Sequence, residues 1–145
     1  MILFSSEIEF ELKNRKKMNK LIIDIVNEKI FLMIISNINI YNITYENTKI
    51  NFEKLTILIN DFLTIHNLKI TDINKIYVNG GPGSFAGIRN SISVVKAFNV
   101  AKKIDYYCYS LEDFKGETDV NYENIPDLCD KFKIKKNLIN PIYIS

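Results

Sequence analysis

The stretch GGPGSFAGIR, residues 80–89, decides how this chain is read. It holds four of the five glycines, follows the short apolar run Ile76-Tyr77-Val78 and precedes a helix-like run reaching about Lys102. A strand entering a helix through such a junction aims backbone N–H groups at the helix start, where they face an anion or a neighbouring backbone. Pro82 fixes one backbone angle and removes a donor. Ser84 is a natural N-cap, and Gly87 lets the first helical turn come close to another backbone.

Two chemistries compete for this loop. The spacing Gly81-x-Gly83-x-x-x-Gly87 differs by one residue from the dinucleotide fingerprint, and no Lys-Ser/Thr pair follows it to make a phosphate loop. A brace made of Gly80, Gly81, Pro82, Gly83, Ser84, Phe85, Gly87 and Arg89 is therefore weighed against a phosphate cradle. Arg89 stands early in the helix, where the macrodipole disfavours a cation by ~0.3–1 kcal/mol, so an anionic partner is expected for it.

Working outward, β-branched and aromatic residues from Leu21 to Tyr45, with asparagines at the turns, predict strands at Leu21 to Val26, Ile30 to Ser36 and Ile38 to Tyr45. The turns fall at Asn27-Glu28 and Asn37, giving an antiparallel meander. Asn51 is the expected N-cap of a helix from Phe52 to about Asn67, whose Phe52, Leu55, Leu58, Ile59, Phe62, Leu63 and Ile65 recur at helical spacing. A strand at Lys75 to Val78, the glycine loop, a helix at Ala86 to Lys102, a strand at Asp105 to Tyr109 and a short helix at Leu111 to Phe114 follow. The order βββαβαβ predicts an α/β fold with a mixed five-stranded sheet and helices packed on it. Residues 116–137 read as a polar connection with one turn of helix at Pro126 to Phe132, and Asn140 to Ile144 as a last extended piece.

Size and composition set the frame. At 145 residues, 47% hydrophobic and 25% charged, the chain has the profile of one folded domain with ragged ends. Residues 1–17 end in Lys13, Arg15, Lys16 and Lys17 and precede a second methionine, so they are either an N-terminal extension or lie upstream of a start at Met18. The expected division is this extension, a domain at 18–115, and a C-terminal loop and strand at 116–145. Lysine outnumbers arginine 17 to 2 within a net charge of only +2, a composition bias that gives no evidence for direct nucleic-acid binding. Cys108 and Cys129 match no metal or redox spacing, and no apolar run reaches the ~18 residues of a membrane span. A cytoplasmic protein without a membrane partner is the expectation.

Candidate residues for chemistry are few. Asp24 is the one acid in the first strand, and either accepts turn N–H groups or holds a metal. No second acid stands where a two-carboxylate site needs one, so no metal ligands are assigned. His66, the single histidine, projects onto the apolar side of the first long helix and reads as packed or capping rather than ligating. Ser84 has no GxSxG elbow and no histidine base, so no catalytic residue is assigned. The two long helices carry apolar faces wider than one sheet contact needs, which predicts a docking surface built from Leu55, Leu58, Phe62, Ser91, Val94, Ala97, Phe98 and Ala101. The competing reading is that the C-terminal segment covers it.

GGPGSFAGIR, together with Lys96, Ser110-Leu111-Glu112, the opening Leu21 to Asp24 and the terminal Pro141-Ile142-Tyr143-Ile144, closely resembles the TsaB (YeaZ-like) family. The resemblance implies half of an actin-like ATPase (ribonuclease-H-like) fold. It further implies a non-catalytic partner of a TsaD-like subunit, acting with a TsaE-like ATPase in N6-threonylcarbamoyladenosine modification of tRNA, with tRNA met only through the complex. ATP and metal would then belong to the partner subunit, with no intrinsic cofactor here. The chain departs from the family pattern at Ile25-Val26 and Ala86, where hydroxyl residues are replaced, and it resembles a reduced member without most of the second actin-like half. The alternatives are a stand-alone nucleotide- or phosphate-binding domain and a homodimer through the same helices.

Overall fold

The computed structural model of the protein describes residues 18–26, 29–139 and 141–144. The N-terminal extension and the turn expected at Asn27-Glu28 lie outside the described residues.

Five strands form the main sheet in the order β3-β2-β1-β4-β6: β1 Asn19–Asp24, β2 Lys29–Ile35, β3 Ile40–Glu46, β4 Ile73–Asn79 and β6 Asp105–Tyr109. The first three pair antiparallel, with Leu21 opposite Ile34 and Ile35 opposite Ile40. Strands β4 and β6 add in parallel, Ile22 beside Tyr77 and Tyr77 beside Tyr107. The predicted mixed sheet and its element order hold. Parallel neighbours need crossovers, and these are the helices α2 Leu55–Ile65 and α3 Phe85–Lys102.

Strand alternation gives the sheet two apolar faces. Leu21, Ile23, Leu32, Ile34 and Val78 point toward α2 and α3, meeting Leu55, Ile59, Phe62, Ile88, Ile92 and Phe98. Ile22, Met33, Tyr77 and Tyr109 point the other way. Each such aliphatic side chain, taken from water, contributes about 1.5–3 kcal/mol, so neither face can be left bare. The second face is covered by Phe114 and by helix α4 Ile125–Lys131 through Ile125, Leu128 and Cys129. Residues 116–137 are thus no mere connection: after a 3-10 turn at Tyr122–Asn124 they close the second half of the core.

Several boundaries differ from expectation for local reasons. Thr48, not Asn51, is the N-cap, its Oγ1 accepting from Asn51 N–H at 3.1 Å. Asn51 instead donates Nδ2 to the Glu46 carbonyl at 2.7 Å, tying the end of β3 to a short helix α1 Lys49–Glu53. The chain breaks at Lys54 before α2 begins, and Asn90 of α3 donates to the Phe52 carbonyl beside that break at 2.6 Å. Helix α2 stops at Ile65 because Asn67 adopts a left-handed conformation (φ 59°). The second hairpin turn runs from Ser36 to Asn39, closed by Ser36 N–H to the Asn39 carbonyl at 2.9 Å, and leaves Ile38 in solvent.

The last strand, β7 Tyr143–Ile144, does not join the main sheet. It pairs in parallel with β5 Gly83–Ser84, a two-residue strand inside the glycine loop. Upstream, Asn137 fastens the segment to β6, its Oδ1 accepting from Tyr106 N–H at 3.0 Å and its Nδ2 donating to Asp105 at 2.9 Å.

Candidate functional site

The glycine loop is enclosed on three sides by backbone. A Cβ at Gly81, whose φ is +119°, would lie 2.1 Å from the Ile142 carbonyl oxygen. At Gly83 it would lie 2.7 Å from Val26 Cβ, and at Gly87 2.6 Å from the Ile25 carbonyl oxygen. At Gly80 it would meet Cys108 Sγ at 2.6 Å. The loop therefore clasps the end of β1, the end of β6 and the C-terminal strand at once, an approach that only residues without a side chain permit.

Its N–H groups are used inside the chain. Gly80 donates to the Tyr109 carbonyl (2.7 Å), Gly81 to Asn79 Oδ1 (2.9 Å), Gly83 to the Ile142 carbonyl (3.3 Å) and Gly87 to Ser84 Oγ (3.4 Å). The Gly80 carbonyl in turn accepts from Ile142 N–H at 2.7 Å. A phosphate cradle needs such donors free, whereas these four glycine N–H groups already have acceptors. Ser84 is the helix cap, as its position in the sequence suggests.

The anionic partner expected for Arg89 is not found among the described residues of this chain. Its exposed guanidinium lies over the Phe85 ring, 5.6 Å from the centroid. A cation–π contact one helical turn apart offsets the dipole penalty by a comparable ~0.5–1 kcal/mol, so no carboxylate is required.

On the helix layer the eight expected docking residues divide. Leu55, Phe62, Ser91 and Phe98 are buried within this chain, Leu58 and Val94 are half-buried, and Ala97 and Ala101 are exposed. Ile57, Ile65 and Val100 add exposed apolar surface on the same two helices. Helix α4 lies against the opposite sheet face and does not cover this surface. His66 caps α2 and stacks on Tyr41 (centroids 3.8 Å, planes 17° apart), a packed histidine as expected.

Asp24 lies at the end of β1, on the face covered by α4, and is 3% exposed. Its Oδ1 accepts from Val26 N–H at 3.1 Å, the turn contact expected of a strand-end Asp. Its Oδ2 accepts from Asn79 Nδ2 at 3.1 Å and from the Tyr122 hydroxyl at 2.9 Å. Tyr122 also stacks on Phe31, centroids 4.0 Å apart, so one side chain both satisfies the carboxylate and anchors the segment before α4. Beside them opens a cavity of about 370 Å³ whose walls include Asp24, Tyr109, Leu111, Val120, Tyr122 and Ile125. Among the described residues the buried Tyr109 hydroxyl has no hydrogen-bond partner. Burial, and after it the charge of Asp24, raises its pKa well above the ordinary phenol value, which keeps it a protonated O–H. The sequence gives no hint of this cluster, because Tyr122 is 98 residues from Asp24.

Comparison with known proteins agrees with this architecture. Residues 48–110, spanning α1, α2, β4, the glycine loop, α3 and β6, match the family model TsaD, tRNA N6-adenosine threonylcarbamoyltransferase. Among solved structures, YeaZ from Pseudomonas aeruginosa superposes with a TM-score of 0.59 at 19% identity, covering 64% of this chain and 44% of that one. A structure described as an uncharacterized protein with similarity to peptidase YEAZ from Pseudomonas aeruginosa gives 0.60 at 19% identity, covering 64% and 43%. The chain thus spans less than half the length of either structure. No curated protein matches the chain. The fold is the actin-like, ribonuclease-H-like half, with its five-stranded mixed sheet.

Proposed function

From the premise that this chain is TsaB-like over part of its length and carries a TsaD-family segment, we propose that it serves the N6-threonylcarbamoyladenosine modification of tRNA as a scaffold subunit. In this reading it has no catalytic role, pairs with a TsaD-like subunit and meets the TsaE-like ATPase and tRNA only in that assembly. ATP and metal belong to the partner.

One observation carries the reading. The segment matched by the family model contains both helices of the layer that α4 leaves open, and the loop that sets where α3 begins. The loop's N–H groups are turned inward, which favours a structural role for it over phosphate binding. The outer surface of the helices supplies Leu58, Val94, Ala97, Val100 and Ala101 for close helix-on-helix contact. Small residues there let backbones approach, and the half-buried Val94 and Leu58 extend the core outward.

Co-expression with a TsaD-like protein, followed by size-exclusion chromatography, tests the pairing. A one-to-one complex is expected, and Ala97→Asp together with Val100→Asp is expected to dissolve it while the chain stays folded, since both positions are exposed. Phe98 is unsuited to this test because it lies in the chain's own core. A chain that elutes alone, or only as a homodimer insensitive to the partner, would refute the pairing.

A further inference from the structure

Strand β3 ends the main sheet on one side, and among the described residues its outer edge is open. The opposite edge is closed by the chain itself: at β6, Asn137 donates its N–H to the Tyr106 carbonyl at 2.7 Å and accepts from Tyr106 N–H at 3.0 Å. Which groups of β3 face outward follows from its hairpin with β2. Antiparallel pairs alternate between bonded and non-bonded, and the turn is closed by Ser36 N–H to the Asn39 carbonyl, so the backbone groups of Tyr41, Ile43 and Tyr45 turn toward β2. Those of Ile40, Asn42 and Thr44 turn away from it. The Glu46 carbonyl, on the same outer side, already accepts from Thr48 N–H at 3.0 Å and Asn51 Nδ2 at 2.7 Å. Edge strands that must stay apart carry a charge, a proline or a bulge. Residues 36–45 contain no charged residue and no proline, the β2–β3 register runs without a shift, and Ile40 is 44% exposed.

We propose that this edge is the interface for a second copy of the chain, the two β3 strands pairing antiparallel about a two-fold axis at Ile43. The strand is complementary to itself in that register. Asn42 and Thr44 of one copy lie opposite Thr44 and Asn42 of the other, and because these are outward residues each such pair exchanges two main-chain hydrogen bonds. Tyr41 lies opposite Tyr45, and Ile43 opposite itself. All three are half-buried on the face toward α2, so the pairing covers apolar surface as it forms bonds. Glu46 lies opposite Ile40, so no like charges meet. A register moved by one residue would set outward groups against inward ones, and one moved by two would shorten the overlap. An edge of seven residues covers less than the ~800 Å² per partner of a standard interface, so the dimer is weak, with a Kd on the order of 10–100 µM. Helix α3, which carries Ala97, Val100 and Ala101, packs on β4 and β6 at the other end of the sheet, so this interface is separate from the helix surface assigned to the TsaD-like subunit.

Sedimentation velocity on the full chain, from about 5 to 500 µM, is expected to show a reversible monomer–dimer equilibrium. Hydrogen exchange is expected to show the Asn42 and Thr44 amides gaining protection as the dimer forms. Asn42→Lys with Thr44→Lys sets like charges opposite each other on both sides of the axis and weakens the dimer about fivefold or more. Asn42→Lys with Thr44→Glu sets opposite charges at the same places and holds the dimer at least as tightly as the unaltered chain. Both positions are exposed in the single chain, so both variants keep the fold. Ala97→Asp with Val100→Asp leaves this dimer unchanged, which separates a failure of this interface from a failure of the helix pairing. A chain that stays monomeric at the highest concentration, a dimer that the two charge variants weaken alike, or a dimer lost in the Ala97→Asp, Val100→Asp variant would overturn the proposal. So would Asn42 and Thr44 amides protected equally at every concentration, the result expected where residues of the same chain hold the edge.

Discussion

Gly87→Ala sets two known effects against each other. In the interior of a helix, alanine is favoured over glycine by about 0.8–1 kcal/mol, and Gly87 lies in the first turn of α3. Against this, the new Cβ would stand 2.6 Å from the Ile25 carbonyl oxygen and 3.2 Å from Ser84 Oγ. The first is backbone at the buried end of β1, which cannot rotate away. Relieving the contact means sliding α3 off the sheet by more than half an ångström at Ile88, which is fully buried. Overpacking of this kind costs about 1–3 kcal/mol, so the clash outweighs the helix gain by up to ~2 kcal/mol. For a chain of this size that lowers Tm by up to roughly 6 °C. Gly116→Ala is the matched control: φ is +97° there but no atom lies within 4 Å, so it measures backbone strain without a clash. Thermal unfolding by circular dichroism reads both. A rise in Tm for Gly87→Ala would show that α3 does not bear on β1 through this contact, and the reading of the loop as a brace would fail.

Three further outcomes follow from the other face of the sheet. Tyr122→Phe keeps the ring stacked on Phe31 and loses only the bond to Asp24, so urea unfolding should show a loss of ~1–2 kcal/mol. Tyr109→Phe, which deletes an unpartnered hydroxyl, should leave stability unchanged or slightly higher in the same assay. The pH profile has a defined sign. Burial, then Asp130, pushes the Cys129 thiol from its ordinary 9.0 up to about 12, and burial raises Tyr77 and Tyr109 as well. Below pH 9 these groups are protonated in both states and their contribution is fully present; above it the unfolded chain ionises first and stability falls toward pH 12. Urea midpoints should therefore be level to about pH 8.5 and lower at about pH 10.5, with a shallower fall in Cys129→Ala. A profile that does not steepen past pH 9 would remove Cys129 from the core.

What the sequence made legible was local or periodic. Alternation located the strands, helical spacing located α2 and α3, and Ser84 and Gly87 announced a capped helix pressed on a neighbour. Where two residues offered the same local chemistry, the sequence did not choose between them. Thr48 and Asn51 can both cap a helix, and the choice fell to Thr48 because Asn51 reaches back to Glu46. The role of residues 116–137 was hidden by their polarity, although Ile125, Leu128, Cys129 and Phe132 fall at i, i+3, i+4 and i+7 and marked a buried helix face. The ring beside Arg89 had no part in the sequence reading, because a dipole argument looks for a negative charge and not for an aromatic one turn away. The cluster of Asp24, Asn79, Tyr109 and Tyr122 had no local signal at all, since strand order and the fold-back of the C-terminal segment assemble it.

The scaffold reading rests most directly on one reconstitution. Purified TsaD-like and TsaE-like proteins, with tRNA, ATP, a threonylcarbamoyl donor and metal, are assayed for threonylcarbamoyladenosine with and without this chain. The account predicts modification that depends on the added chain, and loss of that dependence in the Ala97→Asp, Val100→Asp variant. Modification at the same rate without the chain would contradict it.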